Sequence, residues 1–184
     1  MGWHTMVGLL VCALLPATVF GQARTVGPAA GATSISPAAT TITITSITVD
    51  EAGAVRLVRS DGKEVVPPKE PDQVGSSSPL LAGNKQAAGW LVDSANCCTS
   101  YPISLKLIIY RPGRPLRRFG SEMGIFDWCF VAGGRQVAFY TDTVHGNFAP
   151  HFELRDVESG RLLSQWDGHL TPRSPSWTRL LKFD

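Results

Sequence analysis

The sequence predicts an all-β protein, and three observations carry that prediction. Thr41–Val49 (TITITSITV) alternates Ile or Val with Thr, which is the two-residue period of a strand with one buried face. Short apolar segments recur along the chain, and several are followed by a turn that ends in glycine. The 18 glycines and 13 prolines among 184 residues favour many turns over long helices, and helical periodicity is weak throughout.

The composition fits one folded domain that has a hydrophobic core. Hydrophobic residues make up 43% of the chain and charged residues 17%, which argues against extensive disorder. The formal net charge is +2, and the basic residues are interleaved with acidic ones, so no broad basic face is predicted. We therefore expect no nucleic-acid partner, and no residue pattern predicts a cofactor or a metal site.

The first residues are typical of an export signal. Met6–Phe20 is apolar but shorter than the roughly 20 residues of a membrane span, and the small residues Gly21 and Ala23 occupy the −3 and −1 positions of a cleavage site after Ala23. We predict a signal peptide over residues 1–23, with an uncleaved N-terminal anchor as the alternative. No later segment is apolar for long enough to span a bilayer, so the predicted location is periplasmic or extracellular.

The remaining chain divides into a linker and a β-repeat domain. Residues 24–48 are rich in Ala, Thr, Gly and Pro and are assigned to a flexible linker, although Thr41–Val49 has the strand pattern described above and needs a strand partner. Residues 49–184 are assigned to the β-repeat domain.

Signal cleavage would leave three cysteines, Cys97, Cys98 and Cys129. An oxidising compartment permits disulfides, but an odd number leaves one thiol unpaired. Cys97 and Cys98 could close a strained ring between neighbours, or one of them could reach Cys129.

Three stretches within the domain resemble one another. Each has an apolar strand, a tight turn that ends in Gly followed by Lys or Arg, and a second short strand; they are Val55–Lys63, Leu107–Arg114 and Leu154–Arg161. Their glycines supply the positive φ that a hairpin turn needs. The glycines are about 50 residues apart, which is within the period of propeller blades.

A second element recurs between these hairpins. Gly83–Asp93 and Gly133–Asp142 both consist of a polar turn, a buried strand and an Asp where the strand ends. Each repeat is therefore predicted to hold four short strands. We place two whole units at about 73–120 and 121–168, and a half unit at 55–66.

The second unit resembles the repeats of WD40-like and TolB-like β-propeller proteins. Phe130–Phe139 is similar to a blade core in which a strand is followed by Gly-Gly-Arg and a second strand, and Glu153–Leu163 is similar to the outer hairpin of a blade. The resemblance covers residues 55–168, and such motifs specify a blade rather than a function. The whole chain also resembles uncharacterised secreted bacterial proteins that share an Asn-Cys-Cys-Thr segment, here Asn96–Thr99.

The number of repeats departs from that family. Propellers typically close with about four to eight blades, and this chain encodes two to two and a half. We expect an incomplete propeller or a two-sheet sandwich, formed as a compact two-sheet monomer or dimer. An open sheet edge could also support a homo-oligomer or docking on a partner.

Two long loops are the candidate site. Residues 93–102 and 142–151 follow equivalent strands, so they should emerge at the same edge of stacked sheets. We predict a shared pocket whose entrances are braced by Asp93 and Asp142 and whose lining is Asn96, Tyr101, His145, Asn147 and His151. The alternative is that the Asp and Asn residues only form turns and that Tyr101 covers the core.

The sequence holds no catalytic motif such as G-x-S-x-G or H-E-x-x-H. The predicted function is a non-catalytic binding or structural module for an unknown protein or small ligand. One alternative is an accessory or degenerate secreted hydrolase that uses His145 and His151. Another is a thiol-redox protein that uses Cys97 and Cys98. Trp177 is predicted either to be an exposed aromatic or to cap the open end of the last sheet.

Overall fold

A computed structural model of the chain describes residues 41–95, 99–143 and 149–182. The predicted signal peptide and most of the predicted linker, residues 1–40, lie outside these ranges. Within them the chain forms strands and two short 3-10 turns, Ala132–Gly134 and Ser176–Leu180, and no α-helix. The all-β prediction is confirmed.

The strands form three antiparallel sheets, and neighbouring strands in each sheet are consecutive in the sequence. Sheet 1 consists of β1 Ile44–Val49, β2 Val55–Arg59 and β3 Glu64–Val65. Sheet 2 consists of β4 Gln73–Leu81, β5 Ala88–Ser94, β6 Ile103–Tyr110 and β7 Arg117–Gly120. Sheet 3 consists of β8 Gly124–Val131, β9 Gln136–Asp142, β10 His151–Asp156 and β11 Leu162–Asp167.

The two predicted four-stranded units correspond to sheets 2 and 3. The predicted half unit is instead part of a complete third sheet, because β1 pairs with β2 along its length. The linker assignment to residue 48 was therefore too long, since Ile44–Val49 is a strand. The strand partner that this segment was predicted to need is β2. The structure has three stacked sheets, whereas the sequence favoured a two-sheet body.

The hairpin turns have the predicted backbone conformation. Gly62, Gly113 and Gly160 have φ angles of 77°, 72° and 76°. Side chains with a Cβ rarely adopt this region, so glycine at these turns lets each outer hairpin close tightly.

Sheet 2 is buried on both faces, and this explains the continuous apolar run of its central strands. One face of sheet 2 presents Trp90 and Ile108 to Ile44 and Leu57 of sheet 1. The other face contributes to a second core that joins sheets 2 and 3; this core includes Leu91, Leu107, Ile125, Trp128, Val137 and Phe139. The three sheets therefore stack as layers with two apolar cores between them.

Trp128 packs sheet 3 directly against the backbone of sheet 2. Its ring lies against the backbone of β5 at Gly89, where an added Cβ would be 2.7 Å from the Trp128 ring and 2.6 Å from Ile109 Cδ1. Its Nε1–H donates a hydrogen bond to the Ser78 carbonyl of β4 at 3.1 Å. Gly89 thus leaves the space that the indole fills, and the indole nitrogen is satisfied in a buried position.

The two outer faces of the stack are finished in different ways. The outer face of sheet 1 is polar, with exposed Thr45, Thr48, Arg56 and Glu64, and Arg56 pairs with Glu64 at 2.8 Å. The outer face of sheet 3 is apolar and includes Tyr140 and Phe152. The terminal repeats of a stack need an outer face that is compatible with water.

The C-terminal segment covers the apolar face of sheet 3. Leu170, Trp177 and Leu181 pack on that face. The Trp177 indole N–H donates to Ser164 Oγ at 3.3 Å, and the backbone N–H of Lys182 donates to the Asp127 carboxylate at 2.6 Å. Trp177 therefore caps the last sheet, as one of its two predicted roles required.

Leu181→Ala tests this cap against a matched neighbour. Leu181 is 5% exposed and Leu180 is 56% exposed. We expect Leu181→Ala to lower the free energy of unfolding by about 2–5 kcal/mol, because it leaves a cavity over sheet 3. Leu180→Ala should change it by no more than about 0.5 kcal/mol. Urea denaturation measures both, and equal effects of the two variants would contradict the cap.

Candidate functional site

The stack has two ends that carry different connections. At the loop end, β5 leads into β6 through residues 95–102 and β9 leads into β10 through residues 143–150. At the turn end lie the tight turns that join β4 to β5, β6 to β7, β8 to β9 and β10 to β11. The predicted site belongs to the loop end.

The loop end contains a groove of about 280 Å³ between sheets 2 and 3. Tyr101 and Pro102 of the first loop line it together with Gly124 and Phe126 of β8. Tyr101 and Phe126 are about half exposed. The first loop therefore reaches the start of sheet 3. Tyr101 and Phe126 line the same groove, and His151 does not line it.

Asp93 has the bracing role that the sequence predicted. Its Oδ1 accepts hydrogen bonds from Ser77 Oγ at 2.8 Å and from Ser104 Oγ at 2.6 Å. These bonds join β4, β5 and β6 where the loop begins. Asp142 occupies the equivalent position in β9 and accepts a hydrogen bond from the Thr143 backbone N–H at 2.7 Å, which is the turn-forming role.

His151 belongs to a chain of ion pairs on β10. Its Nδ1 lies 2.5 Å from Asp167, and its Nε2 lies 3.2 Å from Glu153. Glu153 also pairs with Arg155, whose guanidinium lies 5.8 Å from the ring of Phe119 in sheet 2. Both imidazole nitrogens are therefore engaged, and the chain joins sheets 2 and 3 through a cation–π contact.

The same contacts determine the charge of His151. Burial by itself lowers the pKa of this imidazole, but the hydrogen bonds and charges of Asp167 and Glu153 outweigh it, so the pKa is raised from the ordinary value of 6.5. Burial likewise opposes ionisation of Glu153, and the hydrogen bonds from Arg155 and His151 reverse it, so the pKa of Glu153 is lowered. The arrangement therefore stabilises the protonated imidazole between two carboxylates.

The other predicted site residues lie outside the described ranges; they are Asn96, His145 and Asn147, with Cys97 and Cys98. Cys129 of β8 has a free thiol, so the expected option of a bond from Cys97 or Cys98 to Cys129 is not formed in the structure. Burial, with a smaller contribution from Asp127, raises the pKa of Cys129 to about 11, which leaves the thiol protonated and unreactive at neutral pH.

The turn end contains a larger groove, of about 440 Å³. We call it the turn-end groove. It is lined by the segment that leads into β1, including Thr41, and by residues of all four turns at this end. Its polar lining includes Asn84, Gln86, Arg111, Arg114, Arg135 and Glu158. Its volume is within the roughly 300–1,000 Å³ that small-ligand sites occupy.

The turns that form this groove are tightly fitted together. Gly134, with a φ of 95°, packs so closely on the β4–β5 turn that an added Cβ would be 2.6 Å from the Cβ of Ala82. Asn84 Oδ1 accepts a hydrogen bond from the Gln86 N–H at 2.9 Å, and the Lys85 carbonyl accepts one from the Ile44 N–H at 2.7 Å. The groove is thus supported by backbone contacts between sheets, which favours a preformed shape.

Glu158 lies among arginines from the β6–β7 hairpin. Its carboxylate pairs with Arg111 and lies 4.0 Å from Arg114, and its carbonyl accepts a hydrogen bond from Arg117. The Glu158 and Arg114 side chains are 66% and 62% exposed. An exposed pair of this kind typically contributes no more than about 1 kcal/mol to stability, so separating the two side chains costs little free energy.

Guanidinium donors at this groove remain available. Arg135 is exposed and forms no ion pair with any carboxylate in the described part of the chain. The Nε–H of Arg111 is buried and has no acceptor within residues 41–95, 99–143 and 149–182. A buried donor without an acceptor is costly. The exposed guanidinium groups of the groove are those of Arg114 and Arg135.

This groove was not predicted from the sequence. The analysis of charge along the chain predicted no basic face, but the fold gathers basic residues that are distant in the sequence. The available signal was the basic residue that follows turn glycines, as in Gly113-Arg114 and Gly134-Arg135. Because these turns lie at the same end of stacked sheets, their arginines line the same groove.

The similarity of this chain to known proteins is distant. No protein-family model and no curated protein matches the chain. Solved structures similar to it include the Pyrococcus horikoshii acylaminoacyl peptidase (orthorhombic crystal form), with a TM-score of 0.40 and 9% identity over 62% of this chain. The chain spans 20% of that protein's length, and a likeness at this level carries no argument about activity.

Two further findings concern metals and membranes. Among the residues that the structure describes, no group of three or more His, Cys, Asp or Glu side chains is placed to hold a metal ion. In the same part of the chain, no helix has the length and apolar character needed to cross a membrane.

The ion-pair chain of β10 predicts a particular pH dependence. Because the pKa of His151 is raised on folding, its contribution to stability is complete below its ordinary pKa and is lost as the pH rises through the folded value. The difference in melting temperature between wild type and His151→Gln should therefore shrink from about pH 6 to about pH 9. Thermal denaturation across this range measures it.

Glu122→Gln is the control, because Glu122 is exposed and outside the ion-pair chain. The difference in melting temperature between wild type and Glu122→Gln should stay nearly constant over the same pH range. A His151→Gln difference that stays constant or grows towards high pH would contradict the assignment.

Proposed function

We propose that the chain is an exported, non-catalytic binding module whose ligand site is the turn-end groove. The observation that carries this proposal is the joint construction of the groove by the turns of sheets 2 and 3 and the segment that leads into sheet 1. A site built on a stack with two apolar cores is held in place without cost at the moment of binding. Export is supported by the apolar segment and cleavage pattern of residues 1–23.

The chemistry of the lining supports binding rather than turnover. Amide and guanidinium groups from Asn84, Gln86, Arg114 and Arg135 supply hydrogen-bond donors for a polar ligand. The Asp156 carboxylate at this end accepts hydrogen bonds from both the hydroxyl and the backbone N–H of Ser159, and these lower the pKa of Asp156. It acts as a turn former with its acceptors engaged.

The hydrolase alternative is less well supported by the geometry. It requires His145, which lies outside the described residues, and His151. Both nitrogens of the His151 imidazole are held by Asp167 and Glu153. A raised pKa moves the ring towards the protonated form, which cannot accept a proton. The thiol-redox alternative depends on Cys97 and Cys98, which lie outside the described residues.

One preparation tests both parts of the proposal. The 184-residue chain is produced in a bacterial host with a secretion pathway, and its mass is expected to correspond to a protein that begins at Arg24. The recovered protein is then screened by ligand-observed NMR against amino acids, neutral and acidic monosaccharides and dicarboxylates. We expect at least one probe to bind, and we expect Gln86→Trp to abolish its binding because the indole fills the groove.

Glu122→Trp is the matched control, since it adds the same side chain at an exposed position of the β7–β8 loop. It should bind the probe as the wild type does. Retention of residues 1–23 would contradict export. The absence of any bound probe, or binding that survives Gln86→Trp, would contradict the groove as the ligand site.

A further inference from the structure

We propose that the turn-end groove recognises a small ligand through its carboxylate groups, held by the guanidinium groups of Arg114 and Arg135. This inference rests on the binding function proposed above and adds the chemical class of the ligand. Three guanidinium groups line the groove, against the carboxylates of Asp156 and Glu158. Guanidinium is the side-chain group whose planar donor fork matches a carboxylate.

The position of Glu158 indicates what this cluster accepts. Glu158 is exposed on the β10–β11 turn, yet its carboxylate is the group that Arg111 contacts and that Arg114 approaches. The chain therefore already presents one carboxylate to these arginines from its own turn. A ligand carboxylate can share or replace that contact with Arg114, because the pair is open to solvent.

The pairing of the surrounding charges favours a small ligand over a long polyanion. The arginines that continue along the same edge are already paired, Arg118 with Glu70 at 2.8 Å and Arg155 with Glu153. Arg117 donates to the carbonyl of Glu158. These three arginines are thus engaged, and a groove of about 440 Å³ suits a small ligand better than a long polyanion.

The test uses a dicarboxylate and its neutral isostere. Glutarate and glutaramide are titrated separately into the isotopically labelled exported protein, and amide shifts are followed by NMR. We expect glutarate to shift the amides of Gln86, Arg114 and Arg135 and glutaramide to leave them unchanged. Arg114→Gln should weaken glutarate binding about tenfold, because it removes hydrogen bonds to a charged group, and Arg135→Gln should weaken it in the same direction.

Two variants separate a specific site from general charge attraction. Glu158→Gln should strengthen glutarate binding several-fold, since it removes the competing carboxylate from Arg111 and Arg114. Arg173→Gln removes an exposed arginine from the segment after β11 and should leave binding unchanged. Arg114 and Glu158 take part in the contacts described above. The melting curve of each variant is therefore recorded to confirm that it folds.

The outcomes distinguish this inference from the proposed function. If glutaramide binds as well as glutarate, or if Arg114→Gln and Arg135→Gln behave like Arg173→Gln, the carboxylate assignment is wrong. The binding function then still stands, provided that a probe is lost in Gln86→Trp. Inorganic phosphate that shifts the same amides as strongly as glutarate would show a general oxyanion site and would also overturn the assignment. If no probe binds the groove, both proposals fail.

Discussion

The burial of sheet 2 on both faces is the constraint on which the rest of the structure depends. Its central strands have no polar face, so sheets 1 and 3 must cover them. The Trp128 indole against Gly89 sets how closely sheet 3 approaches, and Trp90 fills the space on the side of sheet 1. This arrangement makes each outer sheet part of the core of the middle one, and it explains how a body with three blade-like sheets can form without closing a ring.

The outer sheets then raise the problem that a closed propeller avoids, because each has a face with no neighbouring blade. The chain solves this differently at each end. In sheet 1, Thr and charged residues such as Arg56 and Glu64 make the outer face compatible with water. In sheet 3 that face is apolar, and the segment containing Trp177 and Leu181 lies over it. Both solutions reduce the apolar surface that would otherwise promote association.

Much of this fold could be predicted from the sequence, because strand alternation and turn glycines are local signals. The positive φ angles of Gly62, Gly113 and Gly160 and the limits of sheets 2 and 3 are of this kind. The third sheet was predicted only as a half unit, because Thr41–Val49 follows a linker-like composition and reveals its place only through pairing with β2. The bracing role of Asp93 was predictable from its position at a strand end. The turn-end groove was not predictable, since Arg111, Arg135 and Glu158 line one groove only when separate turns are stacked at one end.

The dependence of each sheet on its neighbours is the central claim, and native-state hydrogen exchange under increasing denaturant tests it most directly. Leu57, Leu107 and Phe139 are buried residues of sheets 1, 2 and 3. If the sheets are stable only through their shared cores, the amides of these three strands should exchange through one cooperative opening, with the same free energy as global unfolding. Sheets that open in separate steps, with β9 still protected after β6 has exchanged, would contradict the account.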